Sequence, residues 1–327
     1  MKEDDDRLPL VQHVRQWGDV NTDAILDPKC QIFKIPSIEG VIGYQVDSGH
    51  AVAFGDPVCS LEDKLALADA FQQHCKSQDL KVIYAMTSKS FTEQVVPRLC
   101  QVSVEFGKKL ILDPENNPIH KTGSKSVLVR KKVKHATQEG TMIKEYLTND
   151  PKLEAAIEQV SLTWLKARKG PQIHLGHVRL FEDRLGKRWF YAEKEGRVMA
   201  FLLLNQLKNQ SSWLLNNLMM LPDASHGTSE LLVISTLETL EKEKGGLINY
   251  GPVPAPQLGE IIGLGPFSTW FTRNSFKLAR RIFRLDGHGI FWEKFQPTSQ
   301  QYYLLFDQKS IRLKTMMSLM HALNVTT

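Results

Sequence analysis

Apolar and polar residues follow one another in two parts of the chain in patterns that predict the same succession of elements. Residues 213–221 are apolar and almost without charge, which predicts a buried strand. The loop 222–227 follows, and apolar residues then recur at helical spacing after Thr228 and Ser229, two residue types that cap helices. Residues 247–251 predict a second strand. The order is therefore strand, loop, helix and strand.

The first half of the chain repeats this order with different residues. Residues 51–54 predict a short strand, and Gly55 and Asp56 begin a loop. A helix is expected from Ser60, which has an acid three residues later, as in a capping box. Residues 80–86 then predict a strand. Two copies of one supersecondary unit indicate a duplicated architecture.

The remaining pattern between the two units predicts a basic helix, a second helix capped by an aspartate, and four strands. The basic helix is expected at residues 127–137 and the capped helix at residues 150–169. The four strands are expected at residues 141–147, 174–181, 189–193 and 198–205. An antiparallel meander that runs into a central strand, loop and helix is the order of an acetyltransferase-like domain. The predicted fold class is therefore α/β, with two tandem acetyltransferase-like (GNAT) domains, each a mixed central sheet flanked by helices. The predicted boundary separates residues 1–135 from residues 136–327.

The composition is that of a globular protein with a substantial core. Hydrophobic residues make up 42% of the 327 residues and charged residues 24%. No apolar run approaches the roughly 20 residues that cross a bilayer, and the acidic start MKEDDDR does not resemble a signal peptide. We therefore expect a cytoplasmic protein.

The four cysteines predict neither a disulfide framework nor a metal site. Cys30, Cys59, Cys75 and Cys100 are widely spaced, without a CxxC pair or a set of nearby histidines. We expect reduced thiols that pack as small apolar groups.

The net charge of +5 is mild, but the basic residues are clustered. Residues 121–134 contain six Lys or Arg and no acid, and a second group lies between residues 273 and 284. Such clusters attract phosphate-rich partners, either nucleic acid or an anionic lipid surface, although a solvated helix face gives the same pattern. The candidate phosphate-binding residues are Arg130, Lys131, Lys132, Arg280 and Arg281.

A glycine-bearing loop that opens onto a helix leaves backbone N–H groups unpaired. His226 and Gly227 lie directly before the predicted helix of the second unit. The N–H groups there are a ready site for a phosphate or a carboxylate, although ordinary α/β packing without a ligand gives the same pattern.

Several short motifs occur in an order that resembles one family. The motifs are Gly55-Asp56-Pro57, Arg130-Lys131-Lys132, the strand 213–221 with its loop to Gly227, Asn249-Tyr250-Gly251, and the stretch 291–297 (FWEKFQP). Together they resemble the C-terminal catalytic domain of phosphatidylglycerol lysyltransferases, the multiple peptide resistance factors. The resemblance implies a tandem acetyltransferase-like fold that passes lysine or alanine from aminoacyl-tRNA to a hydroxyl of phosphatidylglycerol. The implied partners are aminoacyl-tRNA, as co-substrate, and an anionic membrane surface; no other cofactor is implied.

The resemblance also assigns candidate site residues. Lys294 matches the family's KFxP-type motif and is expected to contact a phosphate or the oxyanion. Gly251 and Pro252 are expected near the substrate, and Gly55 and Asp56 form the corresponding loop of the first repeat.

Asn217 and Met220 mark a departure from the family. They occupy the positions where the family places an aspartate and an arginine that bind the aminoacyl group. An amide and a thioether cannot form the ion pairs of those side chains. A different aminoacyl group, a different acceptor and loss of catalysis therefore all remain open.

Two further hypotheses come from other parts of the chain. Residues 284–289 (RLDGHG) match the phosphate-loop pattern of coenzyme-A-dependent acyltransferases, although a strand is expected before such a loop. Residues 309–323 predict an amphipathic helix with basic flanks, which fits a non-catalytic protein that binds tRNA or a membrane. Docking of this helix on the protein's own core is the alternative.

Overall fold

Within residues 2–167, 178–283 and 286–323, which the computed structural model describes, thirteen strands form one mixed sheet. The strands are β1 Gln31–Phe33, β2 Gly40–Asp47, β3 His50–Phe54, β4 Val58–Cys59, β5 Lys81–Ser88, β6 Val102–Leu112, β7 Met142–Tyr146, β8 Lys187–Lys194, β9 Arg197–Leu207, β10 Ser212–Met220, β11 Leu247–Pro254, β12 Ile261–Ile262 and β13 Thr298–Phe306. The helices are α1 Lys2–Trp17, α2 Lys64–Ser77, α3 Lys89–Val95, α4 Ser124–Gln138, α5 Pro151–Ala167, α6 Thr228–Glu243, α7 Pro266–Phe283, α8 Asp286–Glu293 and α9 Leu313–Ala322. A short 3-10 helix, η1, spans Thr22–Leu26.

The two parallel strand pairs of the sheet are placed symmetrically about its centre. The strand order runs β1-β2-β3-β5-β13-β6-β11-β10-β9-β8-β7, with β4 beside β2 and β12 beside β6. The pairs β3–β5 and β10–β11 are parallel and lie on opposite sides of the central β13–β6 pair, whereas the other pairs are antiparallel. The predicted mixed α/β fold is confirmed, but the two predicted sheets are joined edge to edge into one.

The last strand of the chain lies among strands of the first half. β13 pairs with β5 on one side and with β6 on the other, and α9 packs on β2 and β3. The boundary between residues 135 and 136 stays a prediction.

Strand β9 shows why helices cover both faces of the sheet. Ala200, Leu202 and Leu204 belong to the core that includes α6, and Phe201 and Leu203 belong to the core that includes α5. Successive side chains of a strand point to opposite faces, so a strand that is apolar at every position requires cover on both.

Three of the predicted elements differ from the structure. Helix α2 begins at Lys64 rather than Ser60, because Ser60 Oγ donates to Asp63 Oδ2 (2.7 Å) in a turn before the helix. Gly227, not Thr228 or Ser229, is the N-cap of α6; its φ of 97° is a left-handed conformation that glycine adopts without strain. Of the predicted strand 174–181, residues 174–177 lie outside the described residues and residues 178–181 form no strand.

The cysteines of the first half pack in the core, as expected for small apolar groups. Cys59, Cys75 and Cys100 lie in the cluster between α2 and the sheet, and all four cysteines are free thiols. Burial raises the pKa of Cys59 and of Cys75 to about 12, so these thiols stay protonated near neutral pH.

Helix α9 docks on the core, but only part of the predicted stripe of Leu313, Met316, Met317, Met320 and Leu323 takes part, since Met316 and Leu323 pack against the core. Leu319 and Ala322 are buried, whereas Leu313 and Met317 are 68% and 46% exposed. The docked face also carries Thr315, which the apolar pattern passes over. Across the described ranges, no helix combines the length and apolar character needed to span a bilayer.

His50 forms polar contacts with the buried face of α9. Ser318 Oγ lies 3.0 Å from His50 Nδ1 and Thr315 Oγ1 lies 3.2 Å from His50 Nε2. Burial lowers the pKa of His50 below its ordinary value of 6.5, although the nearby Asp307 and Asp47 partly oppose the shift. The folded protein therefore holds this histidine neutral.

We predict that acidification weakens the fold through His50. The unfolded chain binds a proton near pH 6.5 that the folded chain takes up only at lower pH, so the free energy of unfolding falls as the pH falls through this range. Urea denaturation at about pH 7 and about pH 5 should show a smaller loss for His50→Gln than for the unchanged protein. An equal loss in both proteins would contradict the assignment, and His120→Gln, at an exposed histidine, is the control.

Candidate functional site

The two parallel strands of the second half separate at their carboxyl ends. β10 and β11 pair only where Ser212–Leu214 lies beside Leu247–Asn249, although β10 continues to Met220 and β11 to Pro254. A bulge in β10 between Leu215 and Asn217 accompanies the separation. In the first half, β3 and β5 pair along the whole of β3. The opening at the carboxyl ends of β10 and β11 is where an α/β sheet binds ligands.

Met220 lies at the end of β10, beside the first turn of α6. Its side chain is 37% exposed, and its Sδ accepts a hydrogen bond of 3.0 Å from Ser229 Oγ. Asn217 is half-buried and lies directly after the bulge. Both residues therefore lie on the part of β10 that is not paired with β11.

Lys294 reaches the same end of α6. Its Nζ lies 2.6 Å from Glu230 Oε1 and 3.9 Å from the centre of the Phe291 ring. Only 14% of the Lys294 side chain and 8% of the Glu230 side chain are exposed. Since Ser229 and Glu230 are neighbours in α6, the structure brings Met220 and Lys294 together around one helix N-terminus.

Helix α8, which directly precedes Lys294, packs on β11. The ring of Trp292 in α8 lies 4.3 Å from that of Tyr250 in β11, and Phe295 is buried in the same cluster. Gly251 and Pro252 follow Tyr250, and Gly251 has a φ of 139°. These two predicted residues therefore lie on the β11 side of the opening.

The basic helix α4 packs against the loop between β10 and α6. Lys132 Nζ contacts His226 Nε2, and His135 Nδ1 lies 3.0 Å from the carbonyl oxygen of His226. A Cβ on Gly227 would lie 2.2 Å from the carbonyl oxygen of Lys132. Only glycine permits this approach, so Gly227 sets how close the basic helix lies to the site.

The other basic residues of the prediction have different surroundings. Arg130 Nη1 donates to the carbonyl oxygens of Ile119 (2.9 Å) and Lys121 (2.8 Å) and thereby holds the segment before α4. Lys131 is exposed on α4. Arg280 and Arg281 lie in the last turn of α7 and are separated from Lys294 by the whole of α8.

The loop of the first repeat is not part of this group. Asp56 accepts hydrogen bonds from Ser88 N (2.8 Å), Ser88 Oγ (2.6 Å) and Lys64 Nζ (2.8 Å). Its carboxylate ties the loop after Gly55 to the start of α3. In the sheet, β13 and β6 separate this loop's strands from β11.

The coenzyme-type motif has a helical context. Arg284 and Leu285 lie outside the described residues, while Asp286 begins α8. The element before the motif is helix α7, whereas such a loop is expected to follow a strand. Among the residues that the structure describes, no group of three His, Cys, Asp or Glu side chains is placed to hold a metal ion.

Glu230 is the site residue that sequence reasoning missed. An acid in the first turn of a helix is typical of favourable interaction with the helix dipole, and this explanation accounts for Glu230 without a site. Its burial and its partner depend on α8, which is distant in the chain. The resulting pair places a cation, a carboxylate and a helix N-terminus at one opening, which suits a substrate that carries both an ammonium and a phosphate or ester.

We predict that Gly227→Ala destabilises the protein more than Gly140→Ala does. Both glycines have positive φ values, 97° and 83°, but a Cβ on Gly140 meets nothing within 4 Å. Both substitutions should cost about 1 to 2 kcal/mol of backbone strain. Only Gly227→Ala adds the clash with Lys132, worth about 1 to 3 kcal/mol more. Equal midpoints in urea denaturation would contradict the close packing of α4 against this loop.

Comparison with solved structures shows that the fold is shared. The C-terminal domain of a putative lysylphosphatidylglycerol synthetase from Agrobacterium fabrum superposes with a TM-score of 0.78 at 17% identity, covering 99% of this chain and 97% of that one. The structure of L-PGS from Bacillus licheniformis gives the same TM-score and identity, with 96% and 94% covered. A conserved protein of unknown function from Bacteroides thetaiotaomicron gives a TM-score of 0.57 at 11% identity, with 94% and 97% covered.

A match to a family sequence profile is more specific evidence of family membership than these distant structural similarities. Comparison with curated protein sequences found no match. The profile described as phosphatidylglycerol lysyltransferase, C-terminal, matches residues 22–306. This match includes both repeats, the opening between β10 and β11, and Lys294. The chain therefore belongs to the phosphatidylglycerol lysyltransferase C-terminal domain family.

Proposed function

We propose that the protein is an aminoacyltransferase that moves an amino acid from aminoacyl-tRNA to a hydroxyl or amine of a lipid or small molecule. The acceptor that the family favours is a phospholipid headgroup. The protein would act in the cytoplasm, peripherally at the inner face of the membrane. The observation that carries the proposal is the buried Lys294–Glu230 pair at the N-terminus of α6, beside the opening between β10 and β11.

The proposed reaction is an acyl transfer. The acceptor oxygen or nitrogen attacks the ester carbonyl of the aminoacyl group, and the bond to the ribose oxygen of the tRNA breaks. The acceptor loses one proton and the departing ribose oxygen gains one, so no oxidant or metal is required. The developing negative charge on the carbonyl oxygen is the point at which a positioned donor contributes most.

Lys294 is the proposed donor to that oxygen or to an adjacent phosphate. Its ammonium is held between Glu230 and the ring of Phe291, which limits its freedom before the substrate arrives. Glu230 is a positioning residue in this proposal. Its carboxylate also suits the ammonium of an amino acid, and Glu230 follows Ser229, whose hydroxyl donates to Met220 Sδ.

Two basic residues of α4 are proposed to bind the tRNA. They are Lys131 and Lys132, and the C-terminal half of α4 contacts the loop before α6. Arg280 and Arg281 end α7 and are proposed to bind phosphates of the lipid. Contacts to phosphates make binding dependent on salt, so the affinity for tRNA should fall as the salt concentration rises.

We predict that Lys294→Ala lowers kcat/KM for aminoacyl transfer by about 100-fold, the cost of losing one oxyanion donor. Lys294→Gln removes the charge but keeps a donor for Glu230, and should show a smaller defect in stability with a similar loss of transfer. Lys125→Ala is the control, because Lys125 is exposed and so is its partner Glu293, at 3.9 Å. Transfer of a labelled amino acid, measured beside thermal unfolding, tests the prediction. Full transfer by a folded Lys294→Ala protein would contradict the role of Lys294.

We further predict that purified protein labels an acceptor from aminoacyl-tRNA and not from an acyl-coenzyme A. A set of aminoacyl-tRNAs is needed, because Asn217 and Met220 replace the charged residues of the family at β10. Asn217→Asp should raise transfer of a cationic amino acid relative to a neutral one, since a carboxylate pairs with a second ammonium. Consumption of acyl-coenzyme A would favour the rival acyltransferase, and binding of tRNA without any transfer would indicate a non-catalytic relative.

A further inference from the structure

Helix α7 presents an apolar face to solvent. Phe267 is 79% exposed, Trp270 61%, Phe271 38% and Leu278 59%. Their spacing of three, four and seven residues places them on one side of the helix. The rings of Phe267 and Trp270 stack at 6.2 Å. Large apolar side chains that are grouped in this way mark an interaction surface, whereas scattered ones do not.

The charge of α7 has one sign. The helix contains Arg273, Lys277, Arg280 and Arg281 and has no Asp or Glu between Pro266 and Phe283. Lys277 and Arg281 are exposed and flank the apolar face. A helix with exposed aromatic residues beside basic ones, and without acids, is complementary to a surface that is apolar in depth and anionic at its boundary.

The opposite side of α7 holds the helix on the protein. Thr272 is buried, and Phe276 packs against the core that includes β2 and β6. Arg273 Nη2 donates to the carbonyl oxygen of Gly259 (2.7 Å), and Arg273 Nη1 also donates to the carbonyl oxygen of Leu258. The apolar face is therefore presented by an anchored helix.

We infer that α7 is the surface by which this domain docks on an anionic phospholipid bilayer. The helix lies parallel to the membrane, with Phe267, Trp270 and Phe271 among the upper acyl chains and with Lys277 and Arg281 at the headgroup phosphates. This inference deepens the proposed function, since it names how the site meets a lipid acceptor. Leu278, at the C-terminal end of the face, favours a bilayer over tRNA, because an aliphatic side chain offers no ring on which a base can stack.

The position of α7 in the chain connects docking with the site. Helix α8 follows α7 and ends directly before Lys294. Docking through α7 would therefore hold the opening between β10 and β11 near the headgroups. Helix α9, which also has exposed apolar residues, provides a comparison. Leu313 and Met317 of α9 are 68% and 46% exposed.

The test is binding of the full chain to vesicles, without tRNA. Trp270→Ser with Phe271→Ser should weaken binding to phosphatidylglycerol–phosphatidylcholine vesicles by about tenfold or more in co-sedimentation. Lys277→Glu with Arg281→Glu should weaken binding to these vesicles by at least about tenfold and should remove its salt dependence. Leu313→Ser with Met317→Ser is the matched control on α9 and should bind as the unchanged protein does. Thermal unfolding confirms that each variant is folded.

Three outcomes would overturn the inference. The first is undiminished vesicle binding by the α7 variants, or loss of binding by the α9 control alone. The second is a change from dimer to monomer in sedimentation velocity when Trp270 and Phe271 are replaced, which would assign the face to a second copy. The third is loss of tRNA binding in these variants with vesicle binding intact.

The inference and the proposed function fail in different ways. Vesicle binding that depends on α7, without any aminoacyl transfer, would contradict the proposed function and support the assignment of α7 as the docking surface. Transfer to detergent-dispersed phosphatidylglycerol, together with vesicle binding that does not depend on α7, would support the proposed function and contradict the docking surface. Measuring both reactions on the same α7 variants separates the two.

Discussion

The pairing of β13 between β5 and β6 is the constraint on which the rest of the structure depends. The strand pairs with β6 from Thr298 to Phe306, and its other edge pairs with β5 from Tyr302 to Phe306. Because β13 lies between β5 and β6, its backbone N–H and C=O groups find hydrogen-bond partners on both edges. The register of β13 also fixes the start of the strand, and Lys294 lies just before that start. A contact made by the last strand with the first half of the chain therefore helps to place the main candidate residue of the second half.

Buried polar contacts strengthen the junction between the two halves. Lys109 Nζ of β6 lies 3.2 Å from Asp19 Oδ1, and the hydroxyl of Tyr302 in β13 donates to Asp19 Oδ2. Burial alone would raise the pKa of Asp19, but Lys109, Tyr302 and the amide of Val20 together lower it. Such a carboxylate is stabilising only while its partners remain, because an unpaired buried charge is costly. A second carboxylate, Asp23 in η1, joins α1 to strands β9 and β10 of the second half.

The two repeats have diverged in the feature that makes a site. In the first, β3 and β5 stay paired, and Asp56 closes the loop with hydrogen bonds to Ser88 and Lys64. In the second, a bulge turns β10 away from β11, and the helix N-terminus beyond it meets Lys294. The open strand ends therefore occur at β10 and β11, whereas β3 and β5 stay paired along the whole of β3. The exposed face of α7 lies on the segment that connects the open copy to β13.

The sequence by itself determined the local elements, because their periodicity is a property of neighbouring residues. Strand β10, helix α4, the hairpin of β8 and β9, and the α/β class all follow from apolar spacing, capping residues and turns. The same reasoning, with the order of a few motifs, indicated the family and selected Lys294. Tertiary structure alone decided the contacts between distant residues: that Glu230 pairs with Lys294, that Arg130 binds backbone carbonyls, and that α9 docks through Thr315 and Ser318 on His50. Periodicity states which side of an element is apolar but not what will cover it. Helices α7 and α9 both carry an apolar face, and only the tertiary structure shows that α9 buries Leu319 and Ala322 on the core whereas α7 leaves Phe267, Trp270 and Phe271 exposed to solvent.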